Sequence, residues 1–175
     1  MSSKRICFVT TIPSTMFAFV LPQTLRLIQE GWQVTWVCGD EPGLRERTPV
    51  GVKFVGLPFK RGVDLFGIPK AMFLLYRLFR NERFPLVQYS TPNAAFYAST
   101  AAFLARVPIR LYAQWGLRYV GFSGLPRWFF KQFERWVCFC STIIEPDSIS
   151  NLNFSVKEGL YPISKGKVVG VGSAC

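Results

Sequence analysis

The stretch LVQYSTPNAAFYASTAAFLARVPIRLYAQWGLRY, residues 86–119, decides how the chain folds. Residues 86–89 and 109–113 are short runs of β-prone side chains, and the alanine-rich segment 94–105 is typical of a helix packed tightly on a sheet. The dipeptide Val107-Pro108 ends that helix. One helix that joins two strands predicts a parallel, right-handed βαβ unit.

The loops that follow these two strands carry polar side chains. The first strand is followed by Ser90, Thr91 and Asn93, with Pro92 suited to the first turn of a helix. The second strand runs into the segment 114–118, QWGLR. Ligands of open parallel sheets bind beyond the carboxyl ends of the strands, so we expect the functional site at these two loops.

The remainder of the chain repeats the alternation of strands and helices. Strands are predicted at residues 5–10, 34–38, 52–57, 142–144 and 167–171, and helices from residue 17 or 22 to 30 and at 68–83, 124–140 and 149–160. This order predicts an α/β fold, a Rossmann-like doubly wound parallel sheet. A length of 175 residues is enough for one such domain with a real core.

The composition narrows the classes of partner. The chain has 21 Lys and Arg against 10 Asp and Glu, a net charge of +11, and it has no histidine, the commonest general base. The basic excess indicates an anionic partner, which is a membrane surface, a phosphorylated substrate or nucleic acid, unless it only aids solubility. We expect no nucleic-acid partner, because no recognisable nucleic-acid-binding motif accompanies the basic residues.

The five cysteines do not form a metal-binding pattern. Their number is odd and they include no CxxC pair. Cys7 and Cys38 fall in predicted buried strands, and we interpret them as reduced core thiols of a cytosolic protein. We therefore expect neither a metal nor a cofactor. No segment offers the roughly 20 uninterrupted apolar residues of a transmembrane helix, so none is expected.

Two predicted helices combine basic stripes with many aromatic residues. The basic residues are Lys70, Arg77 and Arg80 on the first helix and Arg127, Lys131 and Arg135 on the second. Such stripes beside exposed aromatic side chains suit an interfacial helix that contacts an anionic membrane surface. The alternative is that the aromatic side chains pack inward and the cations simply face water. The sequence leaves both interpretations open.

Six stretches of the chain, in their order, resemble one known family. They are residues 4–10 (KRICFVT), 25–37 (LRLIQEGWQVTWV), 52–61 (VKFVGLPFKR), 86–93 (LVQYSTPN), 109–119 (IRLYAQWGLRY) and 167–175 (KVVGVGSAC). Together they resemble the N-terminal half of the retaining glycosyltransferases of family 4, which have the GT-B fold. The resemblance is greatest to members that assemble capsule and other envelope polysaccharides.

The resemblance implies a division of roles between two domains. In GT-B enzymes the first half chiefly binds the acceptor, and the second half holds the nucleotide-sugar donor across a cleft. Residues 1–175 then form an acceptor-binding domain without the C-terminal donor-binding domain, and we expect the chain alone to be inactive. The implied enzyme is a hexosyltransferase that acts on a lipid-linked saccharide. It is cytoplasmic and peripherally bound at the inner face of the cell membrane.

The resemblance also points to candidate site residues. The candidate acceptor contacts are Ser90, Thr91, Asn93, Arg118 and Arg61, and the candidate catalytic residue is Gln114. The family often has histidine where Gln88, Ser90 and Gln114 stand, so amide and hydroxyl groups replace imidazoles here. Two plainer interpretations stay open, in which residues 90–93 are an ordinary helix N-cap and Arg118 is a surface arginine.

A second class of function also stays open. The chain is then a non-catalytic binding module, or a subunit that docks a separate donor-binding chain at the membrane. The exposed side of the cleft and the aromatic surface would also favour self-association of such a fragment.

Overall fold

Six parallel strands form one sheet. The structure, a computed structural model, describes residues 4–59 and 67–169. Its strands are β1 (Arg5–Val9), β2 (Gln33–Gly39), β3 (Val52–Leu57), β4 (Leu86–Tyr89), β5 (Ile109–Gln114) and β6 (Ile143–Pro146). They lie in the order β3-β2-β1-β4-β5-β6, and every neighbouring pair is parallel. The predicted Rossmann-like α/β sheet is therefore confirmed.

Helices connect successive strands. They are α1 (Pro13–Thr15), α2 (Leu21–Gln29), α3 (Leu44–Arg47), α4 (Gly67–Glu82), α5 (Pro92–Leu104), α6 (Gly124–Cys140) and α7 (Ile149–Lys157). A π-helical segment, Met16–Val20, joins α1 to α2. The helical run after β1 thus begins earlier than the predicted residue 17 or 22, because Pro13 fits the first turn of a helix. Short 3-10 turns occur at Arg118–Gly121 and Ile163–Lys165.

The strand order places a switch point between β1 and β4. From β1 the chain passes to β2 and β3 on one side, and from β4 it passes to β5 and β6 on the other. The loops that follow β1 and β4 therefore turn away from each other. A crevice at such a point is where doubly wound sheets bind their ligands.

Alternate residues of the strands face two separate hydrophobic cores. In β1, Cys7 and Val9 join one buried cluster, whereas Ile6 and Phe8 join the other. Helices α4, α5 and α6 cover the first face, with α5 in contact with both of the others. The helical run after β1 and helix α3 cover the second face. Because both faces are covered, the strands have nearly continuous apolar sequences.

Helix α5 lies deep against the sheet. Eight of its residues are buried, and most of them are alanine, serine or threonine. Small side chains let the helix backbone approach the strands closely, so the core stays densely packed. The sequence predicted this packing from the alanine content of the segment.

The predicted strand at residues 167–171 does not form in the described part of that segment. The structure has an isolated bridge between Ile144 and Gly166, and residues 167–169 belong to no strand. Residues 170 and 171 lie outside the described residues. The physical reason is that β6 is short and ends at Pro146, which has no N–H group for a longer ladder.

The cysteines of the described chain are buried thiols. Cys7, Cys38, Cys138 and Cys140 are free and buried. Burial raises the pKa of Cys38 to about 12 and that of Cys140 to about 11, so both thiols stay protonated at neutral pH. The prediction that Cys7 and Cys38 are core thiols is confirmed.

Candidate functional site

A pocket of about 430 Å³ opens at the carboxyl edge of the sheet, beside the switch point. Its walls come from the helical run after β1, from the start of α5 and from the segment that follows β5. The lining residues are Thr15, Phe19, Thr91, Pro92, Tyr112, Ala113 and residues 115–118. Thr91 and Arg118 are predicted acceptor contacts, and the structure brings both of them to this pocket.

A hydrogen-bonded bridge between two threonines crosses the switch point. The hydroxyl oxygens of Thr11 and Thr91 are 2.7 Å apart, and the Thr11 backbone N–H donates to Thr91 Oγ1 at 3.1 Å. The backbone N–H of Ala94 donates in turn to Thr11 Oγ1 at 3.2 Å. The loop after β1 therefore caps the first turn of α5, which ties the two sides of the crevice together.

Thr91 has a backbone conformation that β-branched residues rarely adopt. Its φ is 65° and its ψ is 140°, at the N-cap position of α5. The plain N-cap interpretation is partly right, because Thr91 holds the N-cap position, but its hydroxyl bonds Thr11 and not its own helix. The hydrogen bonds to Thr11 hold Thr91 in this strained conformation at the mouth of the pocket.

Aromatic side chains form one wall of the pocket. Phe19 and Trp115 lie with ring centroids 4.9 Å apart and planes inclined by 31°. Phe19 is exposed and belongs to the π-helical segment, a form that often occurs at functional sites. Such a wall offers flat apolar faces for a bound ligand.

The side chain of Gln114 points into the protein, away from solvent. It is fully buried, and its Nε2 donates to Glu134 Oε1 at 2.8 Å. Its Oε1 accepts from Ser155 Oγ at 3.2 Å and from the Tyr161 hydroxyl at 3.1 Å. This burial contradicts the predicted catalytic contact of Gln114. The amide instead joins β5 to α6, to α7 and to Tyr161, which follows α7, because these segments offer the matching polar groups.

Glu134 places a carboxyl group inside this cluster. Burial raises the pKa of Glu134 above its ordinary value of 4.5, while hydrogen bonds from Gln114 and Tyr112 oppose that rise. Burial also raises the pKa of Tyr112, so its phenol stays protonated and can donate to Glu134. The cluster of Gln114, Glu134, Ser155 and Tyr161, here called the buried polar cluster, fixes the end of β5 from which the pocket segment 115–118 starts.

The pocket offers binding groups and no carboxylate among its described lining residues. Its charged side chain is Arg118, which is exposed and lies 5.1 Å from the ring centroid of Phe130. An arginine beside aromatic faces and threonine hydroxyls can hold sugar rings and an oxyanion.

The other predicted acceptor contacts have different positions. Ser90 is buried at the end of β4, with 2% of its surface exposed. Asn93 lies half-buried in the first turn of α5. Neither residue lines the pocket. Arg61 and its neighbour Lys60 lie outside the described residues.

The predicted basic stripe of α6 is mostly paired. Lys131 Nζ lies 2.7 Å from Glu158 Oε2, and Arg127 Nη2 lies 3.9 Å from the same oxygen. The hydrogen bond from Lys131 holds the pKa of Glu158 below its ordinary value. Arg127 and Lys131 thus do not form the free stripe that the sequence predicts, because they face the end of α7, whereas Arg135 is exposed.

On α4, Lys70, Arg77 and Arg80 are exposed as predicted.

Large apolar side chains of α6 face outward. Trp128 is 62% exposed and Phe139 is 60% exposed. Leu125, Phe129 and Trp136 are also exposed. The interpretation in which every aromatic side chain packs inward is therefore wrong for this helix.

Two kinds of feature are absent from the described residues. Residues 4–59 and 67–169 contain no helix whose length and hydropathy would let it cross a membrane. The same residues contain no group of three or more side chains placed to hold a metal ion.

The chain belongs to the glycosyl transferase 4-like domain family, which matches residues 18–143. The matched residues include the pocket wall from Phe19 to Arg118. The resemblance drawn from the sequence is therefore confirmed at the level of the family.

A curated relative of this chain is a longer protein. A capsular polysaccharide biosynthesis glycosyltransferase, CapM of Staphylococcus aureus, is 31% identical over 118 residues, which are 67% of this chain and 31% of that protein. This chain thus spans about a third of the length of that curated relative.

Solved structures show the same fold. MurG of Acinetobacter baumannii matches with a TM-score of 0.66 and 15% identity, over 97% of this chain and 45% of that one. The UDP-GlcNAc 2-epimerase of Neisseria meningitidis, bound to UDP-GlcNAc, matches with a TM-score of 0.70 and 16% identity, over 95% of this chain and 46% of that one. The chain therefore has the fold of one Rossmann-like half of a GT-B protein.

Sequence reasoning missed several residues that shape the site. Thr11 follows β1 directly, but its partner Thr91 is 80 positions away, so the pair becomes visible only once β1 and β4 are known to be neighbours. Phe19 and Thr15 carry no motif. Trp115 lay within the quoted segment, and an aromatic residue directly after a strand was the available signal.

Proposed function

We propose that this chain is the acceptor-binding half of a glycosyltransferase of hexosyltransferase type. The enzyme transfers a sugar from a nucleotide-sugar to a lipid-linked saccharide in the synthesis of a cell-envelope polysaccharide. The observation that carries the proposal is the open pocket at the switch point, lined by Thr91 and Arg118, in a chain of the glycosyl transferase 4-like family. The capsular role in the name of the S. aureus relative supports the class of product.

The pocket residues have complementary roles in this proposal. A sugar ring of the acceptor packs on Phe19 and Trp115. The hydroxyl of Thr15 forms hydrogen bonds with the hydroxyl groups of that sugar. The guanidinium of Arg118 holds the diphosphate that links the saccharide to its lipid. Arg61 is proposed as a second cation for the same diphosphate.

The proposal assigns positioning to this half and the donor to the other half. Holding an acceptor hydroxyl at the mouth of the cleft removes much of the entropic cost of the transfer. The described pocket has no carboxylate, and the other half holds the donor in this proposal, so residues 1–175 alone transfer no sugar.

The test uses the chain as it stands. It is titrated with short-chain prenyl-diphosphate-linked saccharides by isothermal calorimetry, and the same samples are incubated with nucleotide-sugars. Binding without turnover is the expected result. Replacing Arg118 with Ala should weaken binding about tenfold, because charge-assisted hydrogen bonds are lost. Arg47→Ala removes the same charge from an exposed site on α3 and should leave binding unchanged. Turnover by the isolated chain, or an affinity that is unchanged in Arg118→Ala, would count against the proposal.

We also propose that the chain contacts an anionic membrane from the cytoplasmic side, through α4 and α6. The exposed aromatic side chains of α6 and the exposed cations Lys70, Arg77 and Arg80 of α4 support this contact. Vesicles that contain anionic lipid should sediment the chain at low salt and release it at high salt. The double variant Trp128→Ala, Phe139→Ala should weaken sedimentation, whereas Phe154→Ala on α7 should not. A chain that stays in the supernatant at low salt refutes the membrane contact.

A further inference from the structure

Two segments share one sequence pattern and lie at the amino ends of the parallel strands, here called the amino edge of the sheet. Residues 83–86 read RFPL and residues 106–109 read RVPI, an arginine followed by an apolar residue, proline and another apolar residue. The first segment joins α4 to β4, and the second joins α5 to β5. Because Leu86 is paired with Ile109 in the sheet, the two segments lie side by side.

The arginine of each segment has a left-handed backbone. The φ of Arg83 is 50° and that of Arg106 is 58°. At the end of α5, Arg106 N–H donates to Phe103 O at 3.1 Å and Val107 N–H donates to Ala102 O at 2.9 Å, the pattern of a Schellman motif. Glycine is the usual residue at this place, because a Cβ is strained there. A cation can interact favourably with the helix dipole without this strain. In α4, for example, Arg80 already provides a cation within the last turn.

The two arginines flank a pocket of about 420 Å³ at this edge. Arg80 completes its cationic lining. The floor is apolar and includes the buried side chains of Phe79 and Phe84. Charges beside such a floor are less screened by water than charges on an open surface, so they attract a counter-charge more strongly.

The cations of this pocket have no counter-charge in the described structure. Among the described residues, Arg80, Arg83 and Arg106 form no ion pair, and no carboxylate lines the pocket. Glu82, which is adjacent in sequence, is paired with Lys53 at 2.6 Å. Arg5 adds a further positive charge behind the pocket, where its Nη2 donates to the backbone oxygen of Arg83 at 3.1 Å.

We propose that this pocket binds a phosphate-type oxyanion, a phosphomonoester or a diphosphate, held between the guanidinium groups of Arg83 and Arg106. Two planar forks of N–H donors match the oxygen atoms of such a group, and Arg80 adds charge at the rim. The pocket lies at the edge of the sheet opposite the acceptor pocket, so it is a second site. The phosphate belongs either to a soluble compound or to a lipid head group.

The first arm of the test measures the affinity for inorganic pyrophosphate by isothermal calorimetry. Arg83→Gly and Arg106→Gly remove the guanidinium groups and relieve the left-handed strain, so the thermal midpoint of unfolding should not fall. Each variant should weaken binding at least about tenfold. Arg47→Ala removes one exposed cation from the other face of the sheet and should change affinity less than about twofold.

The second arm distinguishes the two sources of phosphate. Vesicles of phosphatidylcholine with or without phosphatidic acid are sedimented with the chain and with the double variant Arg83→Gly, Arg106→Gly. Pyrophosphate binding that the glycine variants abolish supports a soluble ligand. Binding confined to phosphatidic acid vesicles, and lost in the double variant, supports a lipid head group. Binding of neither probe, or an equal loss in Arg47→Ala, overturns the proposal.

Discussion

The two edges of the sheet differ in what holds them together. At the carboxyl edge, the Thr11–Thr91 bridge and the buried polar cluster join elements that are far apart in sequence. At the amino edge, α4 and α5 are each ended by a residue next to the helix, which is Arg83 after α4 and Arg106 after α5. Two helix ends at this edge also receive hydrogen bonds from distant residues, because Arg5 donates to the backbone oxygen of Arg83 and Lys165 reaches the end of α6 from a later turn.

The two pockets therefore differ in how much of the fold sets their shape. A pocket built by long-range hydrogen bonds at the switch point has its shape set by the whole fold. A pocket built at helix ends depends on single residues that can be exchanged without disturbing the rest. Substitutions within the carboxyl-edge network should therefore destabilise the protein more than substitutions at the amino edge.

The largest effect is expected for Gln114→Ala. The change leaves the carboxyl group of Glu134 and the hydroxyls of Ser155 and Tyr161 without their shared partner in a buried site. The free energy of unfolding, measured by urea denaturation, should fall by about 3 kcal/mol or more. Gln29→Ala, at the exposed end of α2, should stay within about 0.5 kcal/mol of the parent chain. A loss below about 1 kcal/mol for Gln114→Ala would contradict the role given to the cluster.

The second-largest effect on the free energy of unfolding is expected at Thr91, where two variants distinguish the loss of hydrogen bonds from the relief of backbone strain. Thr91→Ala removes the hydrogen bonds to Thr11 and keeps the strain, so it should cost about 2 kcal/mol of unfolding free energy. Thr91→Gly removes the same hydrogen bonds but relieves the positive φ, so it should cost about 1 kcal/mol less than Thr91→Ala. Denaturation of both variants gives the difference. If Thr91→Gly were the less stable variant, the claim of strain would be wrong.

A smaller effect is expected at the amino edge for Lys165→Ala. Lys165 Nζ donates to the backbone oxygens of Cys138, Phe139 and Ser141 at 3.0, 3.2 and 2.9 Å, which satisfies the end of α6. Its loss should lower the free energy of unfolding by about 1 to 2 kcal/mol. Lys167→Ala, which removes the same charge from an exposed site two residues away, is the control. Equal effects of the two substitutions would show that only net charge matters.

The smallest expected effect is a dependence of stability on pH through Glu134. Because burial raises its native pKa above 4.5, the native protein binds this proton more tightly than the unfolded chain does. Its contribution to stability is full below the unfolded pKa and is lost as pH rises through the raised native pKa. The unfolding free energy of the parent chain minus that of Glu134→Gln should therefore fall as pH rises from below 4.5 through the raised native pKa. A difference that rises with pH would contradict the assigned burial.

The sheet was predictable because its signals are local. The strands and helix of residues 86–119 carry their own propensities and stop residues, and the structure keeps them as β4, α5 and β5. The strand predicted at residues 167–171 does not form at residues 167–169, for a reason outside that segment, since the neighbouring β6 ends in a proline.

The direction of Gln114 could not be read from the sequence. A sheet covered on both faces has apolar residues at odd and even positions alike, so the pattern of β5 does not tell which side chains face α6. The pairing of Lys131 with Glu158 was hidden for a similar reason. Glu158 lies 27 positions away at the end of α7, where spacing along α6 gives no information.

The central claim is that the carboxyl edge of the sheet, at the switch point, is the ligand-binding face. Its most direct test is a nuclear magnetic resonance titration of the isotope-labelled double variant Arg83→Gly, Arg106→Gly with a panel of short-chain prenyl-diphosphate-linked saccharides, so that the amino-edge pocket does not contribute. The account predicts amide shifts at Thr15, Phe19, Thr91 and residues 115–118. Shifts confined to other parts of the chain, or none across the panel, would contradict it.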